Sequence, residues 1–146
     1  MKKTICLTFV ILAIISCLTA CNFTTNISGA MKDNAESAPK AEEMMSLMAE
    51  NRALEAKALL HPQANEKADD ALEQMIIYIR GRSINSMELV NINISSSTGT
   101  SGIIRQEQVS YQVVLDDGEI VYLNTVYLSN NASKGFVSFQ LVLGVV

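Results

Sequence analysis

The residues of this chain that could do chemistry are few and widely separated. His61 is the only histidine, and it directly precedes Pro62. A histidine that acts as a general base needs an acidic or hydroxyl partner within hydrogen-bond reach. No such partner lies near His61 at a spacing typical of a catalytic pair, so the sequence favours a role at the end of a helix.

Two short charged groups could bind ions. The acids of residues 116–119 could hold calcium, and Arg80 and Arg82 could receive an anion. However, the acidic spacing follows no metal-loop pattern, and the Asp-Gly pair inside it is typical of a hairpin turn. Arginines in a loop are usually exposed to water. The sequence therefore predicts no metal site, no cofactor and no catalytic residue.

Cys21 ends a segment that has the layout of an export signal. Lys2 and Lys3 give a positive start, and residues 5–20 carry no charge. Such a run is short and wrongly flanked for a membrane-spanning helix. Its last four residues, Leu-Thr-Ala-Cys, resemble the lipobox of bacterial lipoproteins. That resemblance implies cleavage before Cys21, a diacylglycerol on its thiol and an acylated amino group.

The lipid on Cys21 would attach the chain to a membrane of the bacterial cell envelope. Asn22 is not the aspartate that commonly retains lipoproteins in the inner membrane, which indicates the outer membrane in a diderm host. In a monoderm host the anchor would lie on the outer face of the plasma membrane. Cys6 and Cys17 fall in the predicted signal peptide, so no thiol would remain for a disulfide. An ordinary secreted protein with a chance cysteine is the alternative.

Composition divides the chain into a signal peptide (1–20), a tether (21–40) and one domain (41–146). The tether is rich in Asn, Ser, Thr and Ala and has no helical or strand periodicity. Without Lys2 and Lys3, nine basic and fifteen acidic residues leave a net charge of −6. This acidity, with no basic stripe, excludes nucleic acid as a favoured partner.

Two amphipathic helices are predicted at the start of the domain. The first runs from residue 41 towards His61, where Pro62 ends it. The second runs over about 66–80, with Asn65 as its N-cap and Gly81 as its left-handed end. The apolar stripes are Met44, Leu47, Met48, Leu54 and Ala58 in the first helix, and Ala68, Leu72, Met75, Ile76 and Ile79 in the second.

From Ile84 the apolar period changes to two, which predicts β-strands. Val90, Ile92 and Ile94 are expected on one face of the first strand. Three further strands are expected over about 104–115, 120–128 and 136–146. The predicted fold is α+β, with two N-terminal helices packed on a curved four-stranded antiparallel sheet.

This order of elements carries a resemblance to a known fold. The segments "ALEAKALLHPQA", "IRGRSINSMEL" and "VSYQVVLDDGEIVYLNTVYL", followed by Lys134-Gly135-Phe136, are similar to the small cystatin-like domains, also called nuclear-transport-factor-two-like. Many bacterial lipoproteins of unknown function are expected to carry such a domain. Phe136 departs from the pattern, because a tryptophan is common there. The resemblance implies a pocket between the helices and the concave face of the sheet.

The Asp117-Gly118 turn predicts which residues line that pocket. If it is a two-residue loop of type I′, Tyr111 lies opposite Asn124 and shares a face with it and with Tyr122. These three residues are the predicted ligand-pocket residues. Alternatively, Tyr111 and Asn124 satisfy each other inside the core. A slip of one residue would instead turn the side chains of Val121, Leu123 and Tyr127 inward.

The sequence contains no nucleophile–base pair and no phosphate-binding loop, which favours a noncatalytic envelope lipoprotein that binds a protein or a small apolar ligand. The fairly apolar second face of the third strand also allows a homodimer through the sheet. One alternative is a small pocket enzyme of the isomerase or hydratase type. It would need Glu88, Glu107 or His61 within hydrogen-bond reach of Tyr111. Another alternative is an immunity or inhibitor lipoprotein.

Overall fold

Three helices precede four strands in the computed structural model, which describes residues 32–100 and 102–144. The helices are α1 (Ser37–Ala49), α2 (Ala53–Lys57) and α3 (Glu66–Ile79), and the strands are β1 (Ile84–Gly99), β2 (Gly102–Leu115), β3 (Ile120–Ser129) and β4 (Lys134–Leu143). The strands form one antiparallel sheet in the order β1-β2-β3-β4. The α+β class and the four-stranded sheet are confirmed, with three helices instead of two. Cys21 and the predicted signal peptide lie outside the described residues.

The first helix begins and ends earlier than its prediction. It starts at Ser37, so the predicted boundary at residue 41 lies inside α1, and Ala38 is already fully buried. It ends because Asn51 adopts a left-handed φ of 58°. A separate short helix follows, and both Leu54 and Ala58 are exposed to solvent. The predicted apolar stripe is therefore wrong at these two positions.

The α3 helix agrees with its prediction. The Asn65 side-chain oxygen accepts a hydrogen bond from the Ala68 backbone N–H at 3.1 Å, which caps the helix. At the other end, Gly81 has a φ of 76° and closes it. All five residues of the predicted stripe are buried.

The register between β2 and β3 differs by one residue from the predicted register. Tyr111 lies opposite Leu123, not Asn124, because the connecting loop has three residues, 116–118, and not two. The Leu115 N–H donates to the carbonyl of Glu119, and Gly118 occupies the left-handed position with a φ of 83°. Such three-residue loops combine an ordinary turn with a glycine bulge. The predicted type I′ loop is therefore wrong.

Each edge strand carries a β-bulge that changes which residues face the helices. In β1 the second of two register shifts falls between Leu89 and Asn91, so Ile92 is buried while Val90 is exposed. In β4 it falls between Phe136 and Ser138, opposite Val126 and Tyr127 of β3. An extra residue in a strand shifts the inside–outside alternation by one. The sequence prediction placed Val90 on the same face as Ile92 and is wrong there.

The helices cover one face of the sheet. α1 lies against β1 and β2, and α3 lies against β4. The core between these layers contains the fully buried Met45, Met48 and Leu123. Phe136 is fully buried, and its ring packs edge to face with the ring of Tyr127, with 5.1 Å between the ring centres. None of the described helices is long and apolar enough to cross a bilayer.

The β1–β2 hairpin extends beyond the other two strands. Pairing between β2 and β3 reaches only to Arg105 and Ser129. Beyond that point, 97–99 and 102–104 continue as a two-stranded ribbon. Most of its residues are exposed.

Candidate functional site

Tyr111 is fully buried beneath α1, where its hydroxyl group has partners within the protein. The hydroxyl oxygen lies 2.9 Å from Glu42 Oε1 and 3.2 Å from the Ala38 carbonyl oxygen. Lys32 Nζ lies 2.9 Å from the same Glu42 oxygen and 5.9 Å from the centre of the Tyr111 ring. The acid that reaches Tyr111 is therefore Glu42, which was not among the residues expected to do so.

The surroundings of Tyr111 and Glu42 keep the proton between them on the tyrosine oxygen. Burial, followed by the hydrogen bond and negative charge of Glu42, raises the pKa of Tyr111. Burial alone would raise the pKa of Glu42, but hydrogen bonds from Lys32 and Tyr111 outweigh it, and the pKa of Glu42 is lowered. General acid–base catalysis works best with groups that titrate near the working pH. The two pKa values move away from that range, so the contact has the properties of a structural hydrogen bond.

The other two predicted pocket residues lie on the opposite face of the sheet. Asn124 stands between Ser110 and Gln140 in the cross-strand pairing. The Tyr122 hydroxyl lies next on that face and donates to Gln112 Oε1 at 3.3 Å. Because the sheet separates them from Tyr111, the three side chains do not line one cavity.

His61 is buried and holds the start of β4 in place. Its Nδ1 accepts a hydrogen bond from the Gln63 backbone N–H at 3.0 Å. In the neutral ring Nε2 therefore carries the proton, which it donates to Ser133 Oγ at 2.9 Å. This tautomer cannot remove a proton from Ser133, so the pair is not a nucleophile–base pair. The His61 backbone N–H donates to the carbonyl of Phe136 at 2.8 Å.

Arg82 binds acids of its own chain. Its Nη2 lies 2.5 Å from both Asp117 Oδ2 and Glu119 Oε2. The Tyr78 hydroxyl donates to the other Glu119 oxygen at 2.7 Å. This cluster joins the end of α3 to the β2–β3 turn and includes two of the three acids of residues 116–119. Within residues 32–100 and 102–144, no three His, Cys, Asp or Glu side chains form a group suited to a metal ion.

Glu107 has a structural role that sequence reasoning missed. It is fully buried, and its Oε2 accepts the Ser37 backbone N–H at 2.8 Å. Its Oε1 accepts the Glu36 N–H at 3.3 Å and lies 2.7 Å from Arg105 Nε. A carboxylate at this position satisfies free N–H groups at the positive end of the α1 dipole. One signal in the sequence could have indicated this burial: Glu107 stands two residues before Val109, at the same alternating positions as the apolar residues of β2.

Two shallow depressions lie on opposite sides of the sheet. An apolar groove of about 380 Å³ runs between α3 and β4, and it is lined by Met75, Tyr78 and Leu141 among others. The second depression, about 330 Å³, lies on the outer face, where Gln108 and Asn124 are among the lining residues. Neither is lined by Tyr111 or His61, and His61 lies at a third, more polar depression of about 410 Å³ beside Asp69 and Asp70.

The outer depression belongs to a surface made almost entirely of uncharged polar side chains. We call it the amide face and define it by two adjacent cross-strand rows: Asn91, Ser110, Asn124 and Gln140, then Asn93, Gln108 and Ser138. Val126 completes the second row. Within the described part of the chain, none of these seven side chains has a hydrogen-bond partner. Their donors and acceptors are therefore available to a ligand.

No protein-family model matches this chain, and no curated protein or solved structure does either. The assignment of a function therefore depends on the geometry of the described residues. Tyr111, His61, Arg82 and Glu107 are engaged in contacts that hold the fold together, whereas the amide face has unused hydrogen-bonding capacity.

Proposed function

We propose that this chain is a bacterial envelope lipoprotein whose domain, of the cystatin-like or nuclear-transport-factor-two-like type, is a noncatalytic binding module. One observation carries the noncatalytic part. The Tyr111 hydroxyl and the His61 imidazole, which the enzyme alternative would use, are buried and hydrogen-bonded within the protein. A substrate could reach neither group without displacing a structural contact.

The anchor is supported by the Leu-Thr-Ala-Cys segment that ends at Cys21 and by the uncharged run before it. A lipid on this cysteine would hold the domain at a membrane surface without a membrane-spanning helix. Stable attachment needs two or more acyl chains, which a diacylglycerol with an added N-acyl group supplies.

Fatty-acid labelling tests the anchor. The full chain is produced in a bacterial host fed an alkyne-bearing palmitate, together with the variants Cys21→Ser and Cys17→Ser. We expect label and membrane association in the wild-type chain and in Cys17→Ser, and loss of both in Cys21→Ser. A wild-type chain without label would contradict the lipoprotein assignment.

Capture and turnover experiments test the binding module. The purified full chain is used as bait for envelope extracts and is incubated separately with small-molecule substrate mixtures. We expect retention of a specific component that Tyr111→Phe still retains, because the tyrosine hydroxyl is internal. Turnover that disappears in Tyr111→Phe would show an enzyme and would overturn the proposal.

A further inference from the structure

The amide face provides a regular array of hydrogen-bonding groups. Asn91, Ser110, Asn124 and Gln140 form one row across all four strands, and Asn93, Gln108 and Ser138 form most of the next. Neighbouring strands are about 4.8 Å apart, so the first row is about 14 Å long. The strand spacing is close to the length of one sugar ring in an extended glycan.

The amide face carries no charge. Glu88, at the edge of the neighbouring row, is the nearest acid in the cross-strand pairing. The ion pairs formed by Arg52, Lys57 and Arg82 lie on the helices and at the β2–β3 turn. A charged partner would lose its hydration at the amide face without gaining a counter-charge, which is unfavourable. Complementarity therefore favours a neutral, strongly hydrogen-bonding partner.

Sugar hydroxyls match the chemistry of these side chains. Each hydroxyl both donates and accepts, and each amide side chain offers two donor hydrogens and an acceptor oxygen. Tyr122 is partly exposed in the adjacent row beside Asn124, and its ring supplies an apolar surface that can lie against a sugar ring.

A protein partner fits this face less well. The centre of a protein–protein interface is usually rich in aromatic and other apolar side chains. In the two rows of the amide face, Val126 is the one apolar residue, and it is partly buried. From this array we infer that the amide face binds a neutral glycan, an inference that rests on the proposed function as a noncatalytic binding module.

Affinity electrophoresis tests this inference with the full chain, purified in a detergent that has no sugar headgroup. Native gels contain dextran, laminarin or glycol chitin, and polygalacturonate is the charged comparison. We expect retardation by at least one neutral glycan and none by polygalacturonate. Titration calorimetry with an oligosaccharide of the retarding glycan then measures affinity.

Variants locate the binding surface. Asn124→Ala and Gln108→Ala each remove one amide, and each should weaken binding about threefold to tenfold. Gln74→Ala removes an exposed amide from α3, on the other side of the sheet, and should leave affinity unchanged. Thermal unfolding should be nearly the same for all three variants, because none of these side chains has a hydrogen bond to another described residue.

The result that overturns the inference is retardation by no neutral glycan, or equal affinity in the double variant Gln108→Ala/Asn124→Ala and the wild type. Retardation by polygalacturonate alone, or capture of a protein that depends on Asn124, would also overturn it. Any of these results would overturn the glycan inference alone, provided that the full chain still captures a specific component from the envelope extract. The proposed function as a binding module would then stand. Turnover that requires Tyr111 would instead overturn the proposed function itself.

Discussion

At the scale of single residues, Tyr111 has a buried hydroxyl group beside a carboxylate. Its partners are Glu42 and the Ala38 carbonyl, and Lys32 balances the charge of Glu42. Burial and the neighbouring negative charge both oppose ionisation of the phenol, so its pKa is raised above the ordinary value of 10. The neutral phenol therefore stabilises the folded state.

This shift predicts how stability changes at alkaline pH. Tyrosine in the unfolded chain ionises near pH 10, so the contribution of Tyr111 is complete below that pH and is lost as the pH rises towards its higher folded-state pKa. Tyr111→Phe should cost about 1 kcal/mol at pH 7 but should lose less stability between pH 10 and pH 11 than the wild type. Urea unfolding at several pH values measures the loss at pH 7 and the further loss at alkaline pH, and Tyr122→Phe is the control. An identical alkaline loss in Tyr111→Phe and the wild type would contradict this explanation.

Glu107 predicts a graded loss of stability. Glu107→Ala leaves the Ser37 N–H and Arg105 without their buried partner and should cost about 2–3 kcal/mol. Glu107→Gln keeps one acceptor oxygen and should cost less. The exposed pair of Lys40 and Glu43 provides the control, because Glu43→Ala should change the free energy of unfolding by less than about 0.5 kcal/mol. Urea unfolding of the three variants tests the order, and equal losses in all of them would contradict the capping role.

At the scale of elements, the segment before α3 is joined to the start of β4. The Phe136 N–H donates to the Leu59 carbonyl at 2.9 Å, and the His61 N–H donates back to Phe136. Gly135 makes this close approach possible. A Cβ atom at that position would lie 2.5 Å from the His61 nitrogen, which is shorter than any normal contact.

A pair of glycine substitutions separates crowding from backbone strain. Gly135→Ala should destabilise the protein by about 3 kcal/mol or more, because backbone atoms would have to move. Gly81 also has a positive φ, but a Cβ atom there would meet nothing within 4 Å. Gly81→Ala should therefore reduce the free energy of unfolding by only about 1–2 kcal/mol. Thermal or urea unfolding gives both values. Equal losses would show that close contact with His61 does not matter.

The cluster that joins α3 to the β2–β3 turn predicts sensitivity to acid. The Tyr78 hydroxyl, and then Arg82, lower the pKa of Glu119 below its ordinary value of 4.5. The ionised Glu119 therefore stabilises the folded state fully at pH values above 4.5. This contribution is lost as the pH falls through the lower pKa that Glu119 has in the folded state. The melting temperature of Glu119→Gln should change less between pH 6 and pH 3 than that of the wild type. Glu66→Gln serves as the control, and a fall equal to that of the wild type in Glu119→Gln would contradict the prediction.

The sequence could predict the bounds and the buried face of an element where the residues that determine them are close together in the chain. The cap, the stripe and the closing Gly81 of α3 all lie within a few residues of each other. The β2–β3 register was mispredicted because the Asp-Gly pair fits both a two-residue and a three-residue loop, and one residue decides which face is buried. The bulges and the contact of Glu107 with Ser37 depend on partners distant in sequence, so no local pattern shows them.

At the scale of the whole molecule, the first described residues complete the core. Ala35 and Ala38 are buried, and the backbone N–H groups of Glu36 and Ser37 contact Glu107. Residues that look like part of a linker by composition therefore belong to the packed domain. Asn124 is the one residue of the amide face that was predicted to lie at a site, because the residues of this face come from four strands and only the correct register brings them together.

Truncation tests where the folded unit begins. A chain that starts at residue 41 lacks the first turn of α1 and leaves the Glu107 carboxylate buried without its N–H donors. It should be less stable than a chain that starts at residue 32 by about 3 kcal/mol or more, because both burial and hydrogen bonds are lost. Urea unfolding of the two chains gives the difference. Equal midpoints would place the start of the folded unit at residue 41 or later.

The ribbon beyond Arg105 has a consequence for how the molecule opens. Two paired strands without further neighbours are marginally stable in water, whereas the four-stranded region is held by the helices. Local openings concentrate where few buried contacts resist them. Amide hydrogens of the ribbon should therefore exchange with solvent much faster than those of Val109 and Leu123.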